Sequence, residues 1–225
     1  MKLPEFSEAN HPLVRDCLEQ SDRNLVQGFQ DHPDQGRYFV AIFCRYAMLT
    51  YALLRNKARI ALQVDYLFAQ MWRNIFFEIR HLQIDADEAD DFSLQTWIIS
   101  KSALCINQDE LPAIETIQYA LAAASPPFWC YLHLALDELP PLSRLLLVLS
   151  QLFRWPESRI AAMLQAEGED LEIEQIQPKL RYAYRHLQDA LPEDIRAIYL
   201  PELSEQASLP MAEQLTLGQV LETHS

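Results

Sequence analysis

Between Leu139 and Ala190 the chain reads LPPLSRLLLVLSQLFRWPESRIAAMLQAEGEDLEIEQIQPKLRYAYRHLQDA. Apolar residues recur in it every three or four positions, which is the spacing of one buried face of an α-helix. It predicts helices over Leu142 to Phe153, Pro156 to Gln165 and Gln175 to Ala190. Proline is tolerated at the first position of a helix, so Pro156 marks the start of the middle one. A short helix, a turn and a longer basic helix form the layout of a helix-turn-helix.

The last of these helices carries polar side chains that suit DNA. In a helix-turn-helix the second helix enters the major groove, and its N-terminal residues touch base edges. Glutamine can hydrogen-bond to bases, while lysine and arginine can neutralise phosphates. The predicted DNA-binding residues are Gln175, Gln177, Lys179, Arg181 and Arg185. Pro178 is expected in the first turn of this helix, where proline is tolerated.

Helical spacing also dominates the rest of the chain. Helices are predicted over Tyr38 to Leu54, Ile60 to Leu82, Leu94 to Cys105, Leu111 to Ala123 and Phe128 to Asp137, with Met211 to Leu221 as a candidate partner helix. Only four glycines occur in 225 residues, which leaves little material for hairpin turns or phosphate-cradling loops. The predicted fold is all-α, with two small helical domains over residues 1–106 and 128–191. A helical linker over residues 107–127 joins them, and a tail follows from residue 192.

Charge is unevenly distributed along the chain. The 32 acids and 18 bases give a net charge of −14, which argues against attraction of the whole surface to nucleic acid or anionic lipid. Yet five cations and no acid lie between Arg37 and Val64, and three cations and no acid between Lys179 and Arg185. These stretches are interpreted either as local surfaces for a polyanion or as ordinary helix surfaces.

Cysteine and histidine show no spacing typical of a metal or redox site. The four cysteines stand apart from one another and are predicted to be buried, reduced thiols: Cys17, Cys44, Cys105 and Cys130. No catalytic, metal-binding or cofactor-binding residue is predicted, and the chain is not expected to be an enzyme. Without a secretory signal or a spanning apolar run, it is expected to be cytoplasmic and to have no membrane partner.

The helix-turn-helix stretch resembles the C-terminal domain of bacterial sigma factors, particularly those of the two-domain extracytoplasmic-function type. Leu139 to Leu142 is similar to the leucine-proline phrase that opens that domain. Ile160 to Leu164 is similar to its next helix, and Leu180, Ala183 and Leu187 match the end of its recognition helix.

The N-terminal half carries the same resemblance in the family's order. Arg45 to Ala47, with Tyr51, resembles the first conserved helix, and Phe68 with Trp72-Arg73 resembles the helix that binds the polymerase clamp. Phe92 to Ile98 resembles the promoter-melting helix. The resemblance extends over roughly Tyr38 to Ala190, about two thirds of the chain.

This resemblance implies a transcription initiation factor that binds core RNA polymerase and directs it to promoter DNA. It implies polymerase binding by Asp65, Gln70 and Arg73, and promoter opening by Trp72, Phe76 and Lys101. Aromatic residues can stack on unpaired bases, but at helical spacing Trp72, Phe76 and Phe77 are more often core residues. A regulatory protein of the anti-sigma kind would be a further partner.

The chain departs from the family at two places. After Trp97 the family's basic stretch is replaced by Ile-Ile-Ser-Lys-Ser and then Asp109-Glu110. The turn before the recognition helix is longer than the family's usual turn and carries Glu167, Glu169, Asp170, Glu172 and Glu174. Carboxylates beside a duplex repel phosphate. The alternative is therefore a sigma-derived regulatory or interaction protein that does not read promoter DNA.

Overall fold

A computed structural model describes residues 4–57, 60–84, 92–108, 111–114, 117, 119, 121, 124–169 and 171–201. Within them lie ten α-helices and no strand, so the predicted all-α fold is confirmed. The chain divides into two compact units. Unit 1 comprises Met1–Cys130 and Glu193–Tyr199, and unit 2 comprises Tyr131–Pro192 and Leu200–Ser225.

The helices are short to medium in length and follow one another closely. They are α1 (Pro12–Leu18), α2 (Asp22–Asp31), α3 (Arg37–Leu54), α4 (Ala61–Ile79), α5 (Leu94–Gln108), α6 (Pro126–Glu138), α7 (Pro141–Leu147), α8 (Glu157–Ala166), α9 (Ile173–Ala190) and α10 (Glu193–Tyr199). A 3₁₀ turn over Ser7–Asn10 precedes α1, and a π-helical turn over Val148–Leu152 follows α7.

Most predicted helices match observed ones, but three observed helices were missed. Helices α1 and α2 lie before the first predicted helix, and α10 lies in the predicted tail. Residues 111–113 of the predicted helix over Leu111 to Ala123 are not helical, and much of the remainder lies outside the described residues. The predicted helix over Met211 to Leu221 also lies outside them.

The core of unit 1 forms around α3, and its largest members are aromatic. Ten of the 18 residues of α3 are buried. The ring of Phe43 lies 5.0 Å from that of Trp72, and the ring of Phe39 lies 4.8 Å from that of Phe76, both in edge-to-face geometry. Burying one such side chain contributes about 1.5–3 kcal/mol to the free energy of unfolding. Trp72 also donates its Nε1–H to Oγ1 of the buried Thr50 at 3.2 Å.

Helix α3 bears on the expectation that no segment of the chain spans a membrane. Among the described helices it is the one whose length and hydropathy would suffice to cross a membrane, and 56% of its apolar window is buried inside the protein. Helices α1, α2, α4 and α5 pack around it.

Helix α10 is an integral part of unit 1, although the sequence pattern assigned it to a tail. The carboxylate of Asp194 accepts the backbone N–H groups of Gly36 and Arg37, at 3.0 and 2.8 Å, at the start of α3. At the other end of α10, the Tyr199 hydroxyl accepts a hydrogen bond from Ser125 Oγ at 3.1 Å and donates one to Glu8 Oε1 at 3.2 Å. These bonds tie the C-terminal part of the chain to its first helices.

The cysteines are all free thiols, as predicted. Cys17, Cys105 and Cys130 are buried and Cys44 is partly exposed. Burial raises the pKa of the Cys130 thiol to about 12, which disfavours the thiolate that redox and metal chemistry would need. Among the described residues no group of three or more His, Cys, Asp or Glu side chains could hold a metal ion.

Candidate nucleic-acid interface

Helices α8 and α9 pack against each other in unit 2. A glycine lies shortly after the end of α8, where the chain changes direction. Helix α8 ends at Ala166, and Gly168, two residues further on, lies in the left-handed region with φ 90°. The backbone N–H of Glu169 donates to the Leu164 carbonyl at 2.9 Å, five residues back, which is the Schellman ending. Leu171 is then buried, and α9 begins two residues later. The bond from Glu169 to Leu164 thus sets the direction in which the chain leaves α8.

The N-terminus of α9 is held by a capping box. Glu172 is the N-cap residue, and its backbone N–H donates to the side-chain oxygen of Gln175 at 3.2 Å. Reading an adenine needs both the oxygen and the NH₂ of a glutamine amide. In this structure the oxygen of Gln175 already holds the helix start.

Gln177, the other predicted base-reading residue, is also engaged within the protein. Its Nε2 donates to Oε1 of Glu157 in the first turn of α8. This contact joins the two helices and places a carboxylate beside the predicted DNA face. Both glutamines therefore have partners inside unit 2, and the sequence pattern gave no signal for the role of Glu157.

The cations of α9 are presented on its solvent side. Arg181 and Arg185 are exposed and Lys179 is partly exposed. In the described part of the chain none of the three has an ion pair; those found join Arg45 to Asp22, Lys101 to Glu78 and Arg144 to Asp137. The buried face of the helix consists of Ile176, Leu180, Ala183, Tyr184 and Leu187. Unpaired cations opposite a buried stripe are available to an external anion.

The cations of α9 are spaced so that Arg181 and Arg185 lie on one face of the helix. Gln177, Arg181 and Arg185 follow one another at four-residue intervals, so they form one stripe along the helix. Lys179 follows Gln175 by four residues on the other flank. The exposed Pro178 is the sixth residue of α9, in its second turn, so the expectation of a first-turn proline is wrong. It has no N–H to donate to the carbonyl four residues back.

The acids around α9 have a structural reason to be there. Glu172 caps the helix and Glu174 lies in its first turn, where a negative charge stabilises the helix dipole. Residues 131–192 hold nine acids and six bases. Unit 2 is therefore not a basic domain, and its cationic surface on α9 is a narrow stripe.

The aromatic residues predicted to open the promoter are core residues. Trp72 and Phe76 are fully buried among the rings of α3, so no base can stack on them in this structure, which corrects that prediction. Their neighbour Phe77 is 39% exposed. The guanidinium of Arg80 lies 5.9 Å from the Phe77 ring. Of these three aromatic residues, Phe77 is the one that a ligand could reach.

Lys101, the third residue predicted to open the promoter, also has partners within unit 1. Its ammonium forms an ion pair with Glu78 of α4 and lies 5.4 Å from the centroid of the Trp97 ring. The salt bridge neutralises the charge that promoter opening was expected to use. The Trp97 ring is partly buried.

The three predicted polymerase-binding residues all lie on α4, but they differ in solvent exposure and in their hydrogen bonds. Asp65 accepts the Tyr51 hydroxyl at 2.8 Å, and burial raises the pKa of its carboxyl although that hydrogen bond lowers it. Gln70 donates to the Tyr66 hydroxyl at 2.8 Å. Arg73 is exposed, one turn from Gln70. Arg73 is thus exposed, whereas Asp65 and Gln70 are half-buried and hydrogen-bonded within unit 1.

The first acid-free basic stretch is used largely inside unit 1. Arg45 forms an ion pair with Asp22 at 2.5 Å and donates to the carbonyls of Leu18 and Gln20, each at 2.7 Å. Lys57 donates to the Ile106 carbonyl at the end of α5. These two cations join helices, whereas Arg55 of the same stretch is exposed and Arg59 lies outside the described residues.

No family model, curated protein or solved structure matches this chain.

Proposed function

We propose that the chain is a sigma-factor-like transcription initiation factor, which binds core RNA polymerase through unit 1 and contacts promoter DNA through α9. One observation carries the DNA contact: Arg181 and Arg185 lie one turn apart on the exposed side of α9, without a carboxylate partner in the described residues. Helix α9 follows the ten-residue helix α8 after a connection of six residues, and this order of two helices is similar to that of a helix-turn-helix. No reaction is assigned to the chain, and its expected location is the cytoplasm.

The narrow cationic stripe implies weak binding to DNA by the chain alone. Each phosphate neutralised adds about 0.9 to the salt slope of binding to duplex DNA, so three cations give a slope of about −3. Specific DNA-binding proteins use more contacts than this. Polymerase would have to hold the chain close to the promoter, so that contact by α9 becomes intramolecular. The net negative charge of the chain then does not prevent the contact with DNA, because the polymerase supplies most of the attraction to the promoter.

Unit 1 supplies the polymerase surface and the contact to opened DNA in this proposal. The docking surface on α4 consists of the exposed Arg73 and the half-buried Asp65 and Gln70. Phe77, one turn beyond Arg73, takes the place of Trp72 and Phe76 as the aromatic side chain that an unpaired base could stack on. Opening the duplex then draws its free energy from tighter binding of the opened strand than of the closed one.

The test is promoter-dependent initiation by core polymerase from the same cell, with and without the purified chain. Arg181→Glu with Arg185→Glu should reduce initiation and leave association with polymerase intact. Arg144→Glu is the matched control, because Arg144 also lies in unit 2 but already pairs with Asp137 at 3.2 Å. Failure of the unmodified chain to associate with core polymerase would exclude the proposal.

A second candidate is a sigma-derived regulatory protein that binds polymerase, or a regulator of the anti-sigma kind, without reading promoter DNA. The engagement of Gln175 and Gln177 within unit 2 favours it, because both predicted base-reading glutamines already have partners inside the protein. This candidate predicts that Lys179→Glu with Arg181→Glu leaves output from a target promoter unchanged.

A further inference from the structure

An exposed patch of aromatic, aliphatic and cationic side chains lies just before and within the start of α8. Leu152 and Phe153 have 51% and 53% of their surface exposed. The rings of Phe153 and Trp155 lie 6.2 Å apart, and the guanidinium of Arg159 lies 4.0 Å from the centroid of Trp155. We call Leu152, Phe153, Trp155 and Arg159 the aromatic patch. Clusters of exposed apolar side chains with a polar rim are typical of interaction surfaces.

The backbone presents this patch in an uncommon conformation. The π-helical turn Val148–Leu152 leads directly into it, and Arg154 has φ 52°, in the left-handed region that residues other than glycine seldom adopt. The N–H of Phe153 donates to Val148 at 3.2 Å, and that of Trp155 donates to Leu149 at 3.0 Å. Both π-turns and left-handed residues of this kind concentrate at functional sites. The patch is therefore held on a fixed and strained backbone.

The charge around the patch selects an anionic partner. Residues 152–159 contain two arginines, Arg154 and Arg159, and a single acid, Glu157, which accepts a hydrogen bond from Gln177. Arg159 stacks on Trp155 and has no ion pair within the described residues. A complementary partner must combine negative charge with large apolar side chains.

We propose that the C-terminal segment of this chain, residues 202–225, docks on the aromatic patch. The segment lies outside the described residues, but its sequence has the required chemistry: four glutamates and no lysine, arginine or aspartate. Its large apolar residues are Leu203, Leu209, Met211, Leu215, Leu217, Val220 and Leu221.

The attachment point of the segment supports this assignment. Leu200 and Pro201, which directly precede it, belong to unit 2, the unit that carries the patch. A short tether raises the effective concentration of a segment at its site to the order of millimolar. Weak contacts are then sufficient for docking. The assignment does not depend on DNA binding or on polymerase.

Photo-crosslinking in the full-length chain tests this proposal. A photoreactive phenylalanine analogue replaces Phe153 in one variant and Tyr182 in the control, because both side chains are 53% exposed in unit 2. After irradiation, mass spectrometry identifies the peptides joined to each position. We expect position 153 to crosslink to residues 202–225 and position 182 to do so far less. A mixture of isotope-labelled and unlabelled chains should show pairs within one chain only.

Charge reversal supplies the second measurement. Arg159→Glu in the chain with the analogue at position 153 should lower the crosslink to residues 202–225 about twofold to fivefold, the range of one exposed ion pair. The yield should also fall as the ionic strength rises, because salt screens exposed charges. Equal yields from positions 153 and 182 would overturn the proposal. So would crosslinks that join labelled to unlabelled chains, since they would identify a second copy as the occupant.

Discussion

The carboxylate of Asp194 caps α3 by accepting the backbone N–H of Arg37 at 2.8 Å, across 157 positions of the sequence. The same carboxylate accepts the N–H of Gly36 at 3.0 Å. These two N–H groups are among those that a helix N-terminus leaves without a partner. A residue beyond α9 thus completes the central helix of unit 1.

Replacing this cap should destabilise the chain. Asp194→Ala removes the acceptor of two backbone N–H groups, and losing a capping side chain lowers the free energy of unfolding by about 0.5–2 kcal/mol. Urea unfolding followed by circular dichroism measures the change. Asp189→Ala is the control, because Asp189 is exposed on α9. Equal stability of the two variants would show that the α10 contact is not needed for the fold.

Substitutions of Asp65 can separate an effect on polymerase docking from an effect on the free energy of unfolding. Because burial raises the pKa of this carboxyl, its charged form is disfavoured in the folded state, and the stability it contributes is present at low pH and lost as pH rises through its folded pKa. Asp65→Asn removes the charge and keeps an oxygen for the Tyr51 hydroxyl. We expect unchanged or higher stability at pH 7 and weaker association with core polymerase.

Asp65→Ala is the comparison for that variant. It leaves the buried Tyr51 hydroxyl without its Asp65 acceptor and should lower the free energy of unfolding by about 1–3 kcal/mol. Unchanged polymerase association of a folded Asp65→Asn variant would remove Asp65 from the docking surface.

The carboxylate of Glu157 should weaken contact between α9 and DNA. Glu157→Gln removes a negative charge beside Gln177 and can still hydrogen-bond to it. One surface charge a few ångströms from a phosphate contributes about 1 kcal/mol in water, so affinity at low salt should rise about threefold to tenfold. Fluorescence anisotropy with a labelled duplex measures it.

Glu138→Gln is the matched control for that measurement, because Glu138 is an exposed acid of unit 2 at the end of α6. A gain for Glu157→Gln that does not exceed the control's would place DNA elsewhere on the surface. The gain should shrink at high salt, where the Debye length is about 3 Å.

Phe77 and Trp72 should respond very differently to truncation. Trp72→Ala leaves a large cavity in the core and should lower the free energy of unfolding by about 3–5 kcal/mol. Phe77→Ser should leave the fold largely intact, because the ring is 39% exposed, and should reduce promoter opening. Permanganate reactivity of unpaired thymines reports opening. Normal opening by the folded Phe77→Ser variant would exclude the stacking role.

Alkaline pH should unfold unit 1 through two tyrosines. Burial, together with hydrogen bonds to Asp22 and Asp65, raises the pKa of Tyr46 and of Tyr51 above the ordinary value of about 10. The folded state therefore keeps protons that the unfolded state releases. The stability that these groups contribute is complete below pH 10 and is lost as pH rises beyond it, by at most about 1.4 kcal/mol per pH unit for each group.

Tyr46→Phe and Tyr51→Phe should each make this alkaline slope shallower, as measured by urea unfolding at a series of pH values. Tyr182→Phe serves as the control, because Tyr182 is 53% exposed on α9. An unchanged slope in both variants would show that other groups drive alkaline unfolding.

The amino-acid sequence by itself determined the all-α fold and the positions of the longer helices. Apolar spacing and proline placement are local properties, and they fix α3, α4, α5, α8 and α9 to within a few residues. The burial of Cys17, Cys105 and Cys130 followed from the same local information, whereas Cys44 is partly exposed.

The tertiary structure decided which side chains remain available to a partner. Whether Arg45 meets DNA or Asp22, and whether Trp72 faces solvent or Thr50, depends on which helices pack together. Periodicity assigns a residue to a helix face, but it does not identify which other helix packs against that face. The docking of α10 on α3 is of the same kind, because a hydrogen bond that spans 157 positions leaves no local pattern in either segment.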